Sequence, residues 1–350
     1  MSFQLGVEVT RACNFRCRHC FVDAGRRGSE PSTEVFEDLL GRAARSGIDS
    51  VGWSGGEPLL RRDLARLTSV AASLGMRVGL ATNGYLATAA RLRELQQAGL
   101  DVVQVSLDGP DADRASRYRR GPRGHFRRAR EAVSASSSLG LQTYVCALLA
   151  PETMGDAEAM VALARDLGAH GLRWTMWMPV GRATGARYDE TAWPAAAVRR
   201  FLAAVERFSE HEFRVLIDCP TGPLPSRARW SCGAGRATAY LTAAGDLYPC
   251  TALMFPEYRV GNALERPFEL LLNDGRMFKV QRELARLPAD SCASCRIVDS
   301  CRGGCPGRAI AQHGRLRSGI NRHVMPVCLV KLCEEQASTS RSVRPKRRAR

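Results

Sequence analysis

Residues 13–20 read CNFRCRHC, three cysteines spaced C-x3-C-x2-C directly after the apolar run LGVEV. Three thiolates so placed could bind a metal. A structural zinc takes four protein ligands, and His19, squeezed against Cys20, is poorly placed to be the fourth. A four-iron cubane held by three cysteines keeps one iron open to a substrate, whereas clusters held by four cysteines pass electrons. A second thiol group follows far downstream. Cys232, Gly245 and Cys250 form C-x12-G-x4-C. Cys292, Cys295, Cys301 and Cys305 form CxxCx5Cx3C, with Cys328 and Cys333 beyond and Cys219 before. Thirteen cysteines in a chain without a signal peptide point to metal or catalysis rather than disulfides. Cys146, inside an apolar stretch, reads as a buried core thiol.

The first two-thirds of the chain must position the first group. Short apolar runs predict strands at 5–9, 50–54, 77–81, 102–107, 141–149 and 172–178. Amphipathic stretches lie between them, several ending in glycine as helices prefer. Ser32 or Thr33 could cap the first helix, with Glu34 and Glu37 suiting its positive end. Such alternation predicts an α/β fold on a parallel sheet, either covered on both faces or curled into a barrel. Chemistry in such sheets sits at the carboxyl ends of the strands. CNFRCRHC follows the first strand, SGGEP (54–58) the second, TNG (82–84) the third, and SLDG (106–109) closes the fourth. All four fall on one rim. After about residue 215, Cys, Gly and Pro replace regular helices, as in a small loop-rich region that needs metal staples.

These motifs resemble those of the radical S-adenosylmethionine (radical SAM) superfamily, and the second cysteine series resembles its SPASM extension. The resemblance covers about residues 3–335. It implies a partial (β/α)6 TIM-like barrel over residues 1–215, a small cysteine-rich SPASM domain over 216–335, and a basic disordered tail over 336–350. It further implies that Cys13, Cys17 and Cys20 hold a 4Fe–4S cluster whose open iron takes S-adenosylmethionine. His19 would lie near the adenine. Gly55 and Gly56 would permit close backbone approach, and Glu57 would face the methionine ammonium. Asn83 and Ser106 would contact ribose or carboxylate. Asp108 either joins them or bonds its own turn. Arg117, Arg119 and Arg120 either include a carboxylate ligand or form a solvated basic loop. One auxiliary 4Fe–4S cluster would use Cys232, Cys250 and Cys305, with Cys219 as fourth ligand or an iron left open. The other would use Cys292, Cys295, Cys301 and Cys328, or Cys333 in place of the last. A zinc ribbon on Cys292 and Cys295 is the plainer alternative.

The implied activity is reductive cleavage of S-adenosylmethionine to a 5′-deoxyadenosyl radical that removes hydrogen from an unactivated C–H bond. The auxiliary clusters would accept an electron, and a flavodoxin or ferredoxin would supply one. Two substrates suit the reading: a ribosomally made peptide, or an aminocyclitol or sugar to be dehydrogenated, epimerised or decarboxylated. The compact length and GC-rich composition lean towards the small molecule. A peptide's leader would need a separate carrier or a groove on the barrel, since the chain starts at its first strand. Sulfatase-type maturation and a non-catalytic electron carrier are further alternatives, the latter at odds with intact GGEP, TNG and SLDG. No general base is assigned. Trp174, Trp177 and Met178 either line the pocket or pack the barrel, GRATG (181–185) could face substrate, and Tyr118, Tyr188 and Tyr248 are open relay candidates.

Composition excludes other classes. No apolar stretch reaches the roughly 18–20 residues that span a bilayer, so a cytoplasmic enzyme is expected. The net charge of +16 is carried by arginine: of 51 basic residues only Lys279, Lys331 and Lys346 are lysine. The tail RSVRPKRRAR holds six of them. With no base-reading motif elsewhere, nucleic acid is not an expected partner.

Overall fold

The computed structural model describes residues 2–25, 28, 30–184, 195–208, 212–218, 232–286 and 305–314. Six strands match the six predicted from periodicity: β1 (Gln4–Thr10), β2 (Ser50–Gly55), β3 (Arg77–Thr82), β4 (Leu100–Ser106), β5 (Gln142–Leu149) and β6 (Gly171–Met176). A seventh, β7 (Arg214–Asp218), pairs in parallel with β6. The boundary expected at residue 215 therefore falls inside a barrel strand. The helices between strands are α1 (Thr33–Arg45), α2 (Leu64–Ser73), α3 (Ala89–Gln97), the short α4 (Ala112–Ser116), α5 (His125–Ser138), α6 (Ala157–Asp166) and α7 (Ala195–Phe208). Ser32 caps α1, its hydroxyl accepting from the Val35 N–H, and Glu34 sits in the first turn. That places an acceptor and a negative charge at the positive end of the helix.

β1 to β7 run parallel in sequence order. The C-terminal region extends this sheet. β8 (Thr238–Leu241) pairs in parallel with the free side of β1. β9 (Asp246–Tyr248) and β10 (Gly261–Asn262) continue it antiparallel. Helices α8 (Phe268–Leu272), α9 (Lys279–Arg286) and α10 (Pro306–His313) complete the described elements. Among the described residues no helix is long and apolar enough to cross a membrane.

The two faces of the sheet differ sharply. Val7, Val9, Trp53, Leu80, Val103, Val145, Leu172 and Trp174 are buried beneath the helices. Trp53 Nε1 donates to Thr68 Oγ1 on α2 at 3.0 Å, and the Trp174 ring meets Phe201 of α7 edge-on at 5.3 Å. The other face carries Ser54, Ala81, Gln104, Ser106, Cys146, Arg173 and Thr175, all partly or fully exposed. A closed eight-stranded barrel fills its interior with bulky branched side chains. Here the concave face is small and polar, which leaves a lumen able to receive ligands. Trp174 belongs to the helix-facing core. Cys146 lies on the lumen face, half-buried, with Sγ 3.3 Å from Thr175 Oγ1, because strand alternation points it opposite to Val145.

Candidate active site

The loop carrying Cys13, Cys17 and Cys20 leaves β1 at the carboxyl end and is interlocked with its neighbours. The Gly56 N–H donates to the Thr10 carbonyl and the Glu57 N–H to that of Ala12, each at 2.8 Å. A Cβ on Gly56 would stand 2.0 Å from Ala12 O. On Gly55, where φ is +124°, it would stand 2.4 Å from Thr10 O. The close approach that these glycines permit is thus to the start of the cysteine loop itself. Phe15, 2% exposed, wedges the loop into the barrel mouth between Tyr85 and His125. Arg16 and Arg18 N–H groups donate to the Arg120 and Tyr118 carbonyls at 2.7 and 2.9 Å, so segment 118–120 runs beside 16–18 like a short ladder.

The segment after β6 closes the other flank. Gly181 approaches so closely that a Cβ would lie 2.2 Å from Phe21 O. Arg182 donates to the Cys17 carbonyl (2.8 Å), pairs with Asp23 Oδ1 (2.8 Å) and reaches the Ala24 carbonyl. GRATG therefore includes a clamp on the cysteine loop, residues 181–184 being the described part. Sequence reasoning missed Phe15, for which an aromatic ring inside a basic loop was the available signal; Arg182 lies in the GRATG segment expected to face substrate, and its grip on the cysteine loop is what the sequence did not mark.

All three sulfurs are partly buried. Cys13 Sγ accepts from the Phe15 N–H at 3.4 Å, Cys20 Sγ from the Ala24 N–H at 3.3 Å, and Arg119 Nη1 lies 3.9 Å from Cys17 Sγ. Burial pushes the Cys13 thiol up to about 11 and raises that of Cys17, so metal coordination is what would hold these sulfurs as thiolates. Donors aimed at sulfur suit an iron–sulfur cluster.

The surrounding polar groups form a cradle. Glu57 is 0% exposed; it accepts from Thr82 Oγ1 (2.7 Å), the Asn83 N–H (2.8 Å) and the Leu59 N–H (3.2 Å). Burial nevertheless raises its pKa. A carboxylate has about four acceptor positions, so one remains. Asn83 Nδ2 donates to Asn14 Oδ1 at 2.8 Å. Asn14 Nδ2 and His19 Nδ1 are buried without a hydrogen-bond partner among the described residues, two polar atoms on the cysteine loop that a cofactor could satisfy. Ser106 lies half-buried on the lumen face, opposite Cys146 in the register.

Asp108 bonds more than its own turn. It accepts from the Leu148 N–H at 2.8 Å, and its Oδ2 lies 2.6 Å from Arg119 Nε and 3.2 Å from His19 Nε2. Burial opposes its ionisation, but Arg119 and His19 outweigh that and hold the carboxyl at about 2. The carboxylate faces the Nε2 edge of the ring, and Nδ1 is left without a hydrogen-bond partner among the described residues. Of the three arginines near residue 119, Arg119 is drawn inward; Arg117 and Arg120 are exposed. Tyr118 donates to Glu152 at 2.7 Å and meets the His19 ring edge-on.

In the C-terminal region, Cys232 and Cys250 pack against a small core of Ala234, Leu253, Tyr258, Val280, Leu284 and Ile310. Cys305 caps α10, which contributes Ile310. Gly307 lies so near residue 252 that a Cβ would be 2.0 Å from Ala252 O, which draws the start of α10 against the turn after Cys250. Gly245 makes the β8–β9 turn at φ +86°, a conformation that favours glycine. Three cysteines distant in sequence thus border one core. Cys219, Cys292, Cys295, Cys301, Cys328 and Cys333 lie outside the described residues, as do Tyr188 and the tail.

A cavity of about 620 Å³ opens between these regions. Phe21 and Val22 of the cysteine loop, Val180 beyond β6, and Tyr248, Met254 and Phe255 line it. Glu8 of β1, 1% exposed, also borders it; its Oε1 accepts no hydrogen bond among the described residues but lies 3.8 Å from Arg11 Nη1. Of the two relay candidates among the described residues, Tyr118 and Tyr248, it is Tyr248 that lines this cavity.

Comparison with known proteins agrees with this geometry. Residues 7–164 match the model of the radical SAM superfamily, and residues 232–296 that of the SPASM iron–sulfur cluster-binding domain. The chain is 30% identical over 306 residues to the mycofactocin maturase MftC of Mycolicibacterium smegmatis, covering 85% of this chain and 76% of that protein. It is 30% identical over 324 residues to a PqqA peptide cyclase of a Methylobacterium species, covering 88% and 82%. Among solved structures, anSMEcpe with bound AdoMet superposes with a TM-score of 0.76 at 16% identity, over 97% of this chain and 99% of that one. Streptococcus suis SuiB bound to the precursor peptide SuiA gives 0.73 at 18%, over 92% and 76%. The partial barrel is therefore the fold of known radical SAM proteins, and the chain belongs to the radical SAM superfamily as an enzyme that uses S-adenosylmethionine, a cluster that binds it, and auxiliary iron–sulfur clusters in a SPASM region.

Proposed function

We propose that this enzyme modifies a ribosomally made peptide, abstracting hydrogen from an unactivated C–H bond within it. The observation that carries this reading is the 30% identity, over 85% or more of the chain, to a mycofactocin maturase and a PqqA peptide cyclase. That likeness outweighs the compositional lean towards an aminocyclitol. The cavity supports it physically: it is flanked by the cysteine loop and the C-terminal region, its lining mixes apolar and polar groups, and Glu8 offers a buried acceptor. Peptide N–H groups are donors that could meet such an acceptor.

In this reading Cys13, Cys17 and Cys20 hold the cluster that, with S-adenosylmethionine bound, supplies one-electron cleavage and a hydrogen-abstracting group. The chain's own residues orient and shield. Glu57, through its remaining acceptor position, and Asn83 would hold the amino-acid end of the cofactor. His19 would offer Nδ1 towards the adenine, and Ser106 would face the cofactor across the lumen. Cys232, Cys250 and Cys305, with Cys219, and Cys292, Cys295, Cys301 and Cys328 would hold the auxiliary clusters, and a flavodoxin or ferredoxin would deliver electrons.

The test is anaerobic turnover with reductant, S-adenosylmethionine and deuterated short peptides encoded by genes beside this one. Deuterium in 5′-deoxyadenosine, together with a mass change in the peptide, is the expected result. Transfer from aminocyclitols with none from any such peptide would overturn the reading.

A further inference from the structure

Arg119 sits where a charge is costly. Its side chain is 12% exposed, and a buried guanidinium is tolerated only when paired. The ladder explains its direction. Arg120 and Tyr118 carbonyls accept from Arg16 and Arg18, so residue 119 stands opposite residue 17, and Nη1 ends 3.9 Å from Cys17 Sγ. Cys13 and Cys20 sulfurs receive backbone N–H groups instead. On its other side the guanidinium meets Asp108, with Nε 2.6 Å from Oδ2. Asp108 is itself fixed by the Leu148 N–H and by His19. Arg182 reaches the Cys17 carbonyl, not its sulfur.

We infer that Arg119 is a positioning residue that raises the reduction potential of the cluster on Cys13, Cys17 and Cys20, and that Asp108 offsets part of its charge. The inference rests on those three cysteines being the cluster ligands. Reduction adds one electron to the cluster. A cation about 4 Å from a ligating sulfur, shielded from water, favours the state with the extra negative charge, and an anion behind that cation weakens the effect. Net charge and contacts to the sulfurs are the levers by which a protein sets such a potential. The arrangement therefore makes two predictions of opposite sign. Loss of the guanidinium lowers the potential. Loss of the Asp108 charge, with the guanidinium retained, raises it.

The experiment is a potentiometric titration of the anaerobically reconstituted full chain, followed by electron paramagnetic resonance. The component to read is the one absent from a Cys13→Ala, Cys17→Ala, Cys20→Ala variant. If that variant lacks no component, the ligand assignment fails on its own account. Arg119→Gln should lower the ratio of reduced to oxidised cluster at fixed potential about tenfold, about 59 mV for one electron. Asp108→Asn should shift it in the opposite direction, and Arg119→Lys should recover part of the loss. Shifts of the same sign in Arg119→Gln and Asp108→Asn, or no shift in either, would overturn the inference. So would weaker S-adenosylmethionine binding by Arg119→Gln at an unchanged potential, which would make it a cofactor ligand. If Arg119→Gln fails to assemble its cluster, Asp108→Asn decides alone: a potential that falls or stays put refutes the inference.

Discussion

Around Cys13, Cys17 and Cys20 the backbone is locked to the loops after β2, β4 and β6, and a buried phenylalanine pins it from below. Around Cys232, Cys250 and Cys305 it rests on a core of six buried residues. The first loop draws its rigidity from the large core beneath the barrel helices. The second region joins that large core through its sheet extension, where Leu241, Leu247, Val260, Phe268 and Leu271 are buried, but its cysteines border only the small core, so the cysteine-bearing turns must take more of their order from metal. A site that keeps one iron open needs its protein ligands placed by the fold. A site that only encloses clusters can let the clusters do the placing.

The largest expected effect tests the division of labour. Cys17→Ala should abolish release of 5′-deoxyadenosine while shifting the stability of the iron-free chain by less than about 1 kcal/mol, as for a partly exposed side chain. Cys295→Ala should lose iron and product yet retain uncoupled cofactor cleavage. Undiminished product from Cys295→Ala would remove the second site from the chemistry. Next comes metal removal. Chelation should strip amide-exchange protection from residues 250–258 and 279–286, around the small core, and leave β1 to β6 and β8 protected; equal loss in both regions would break the comparison. Exchange mass spectrometry reads both at once.

Gly56→Ala sharpens the interlocking argument. Its Cβ would fall 2.0 Å from Ala12 O, a backbone atom that cannot swing aside. We expect a loss of about 3 kcal/mol, at the upper end for overpacking, and poor iron uptake at the first site. Gly155→Ala, with nothing within 4 Å of the added Cβ, should change stability by about 0.5 kcal/mol or less. Equal urea midpoints for the two variants would show that the contact is not tight.

What the sequence disclosed follows the same division. The six strands were legible because each alternates or runs apolar between helices that end in glycine. β7 was not, since Arg214–Asp218 is short and borders the Cys- and Pro-rich stretch. The cysteine spacing and the rim motifs were legible because ligand geometry constrains spacing along one loop. Arg119 facing Cys17, Arg182 clamping Cys17 and Asp108 binding His19 join residues 102, 165 and 89 positions apart; no local pattern records such pairings. The same holds for Gly55 and Gly56, recognisable as a motif, whose partner proved to be the cysteine loop's own backbone.

The smallest effect concerns the brace beneath that loop. Arg61, 8% exposed, donates to the carbonyl of Val9 at 3.1 Å, just ahead of the cysteine loop, and lies 4.8 Å over the Phe36 ring. It is held in turn by Asp63, which accepts from Arg61 Nε at 2.9 Å and Thr33 Oγ1 at 2.6 Å. Burial works against the Asp63 charge, but these donors prevail and hold its carboxyl at about 2. A folded-state pKa below the unfolded one stabilises the fold above about pH 4 and loses that contribution as pH falls towards 2. A fall from the ordinary value near 3.9 to about 2 sets a ceiling of about 2.6 kcal/mol. With Asp63 25% exposed, screening brings the expected value nearer to about 1 kcal/mol. Urea melts of the iron-free chain should therefore show Asp63→Asn less stable than the parent at pH 6, with the gap narrowing between pH 4 and pH 2.5. A gap that stays constant across that window would mean that the Arg61 brace stands without its carboxylate, and that the cysteine loop is held by backbone contacts alone.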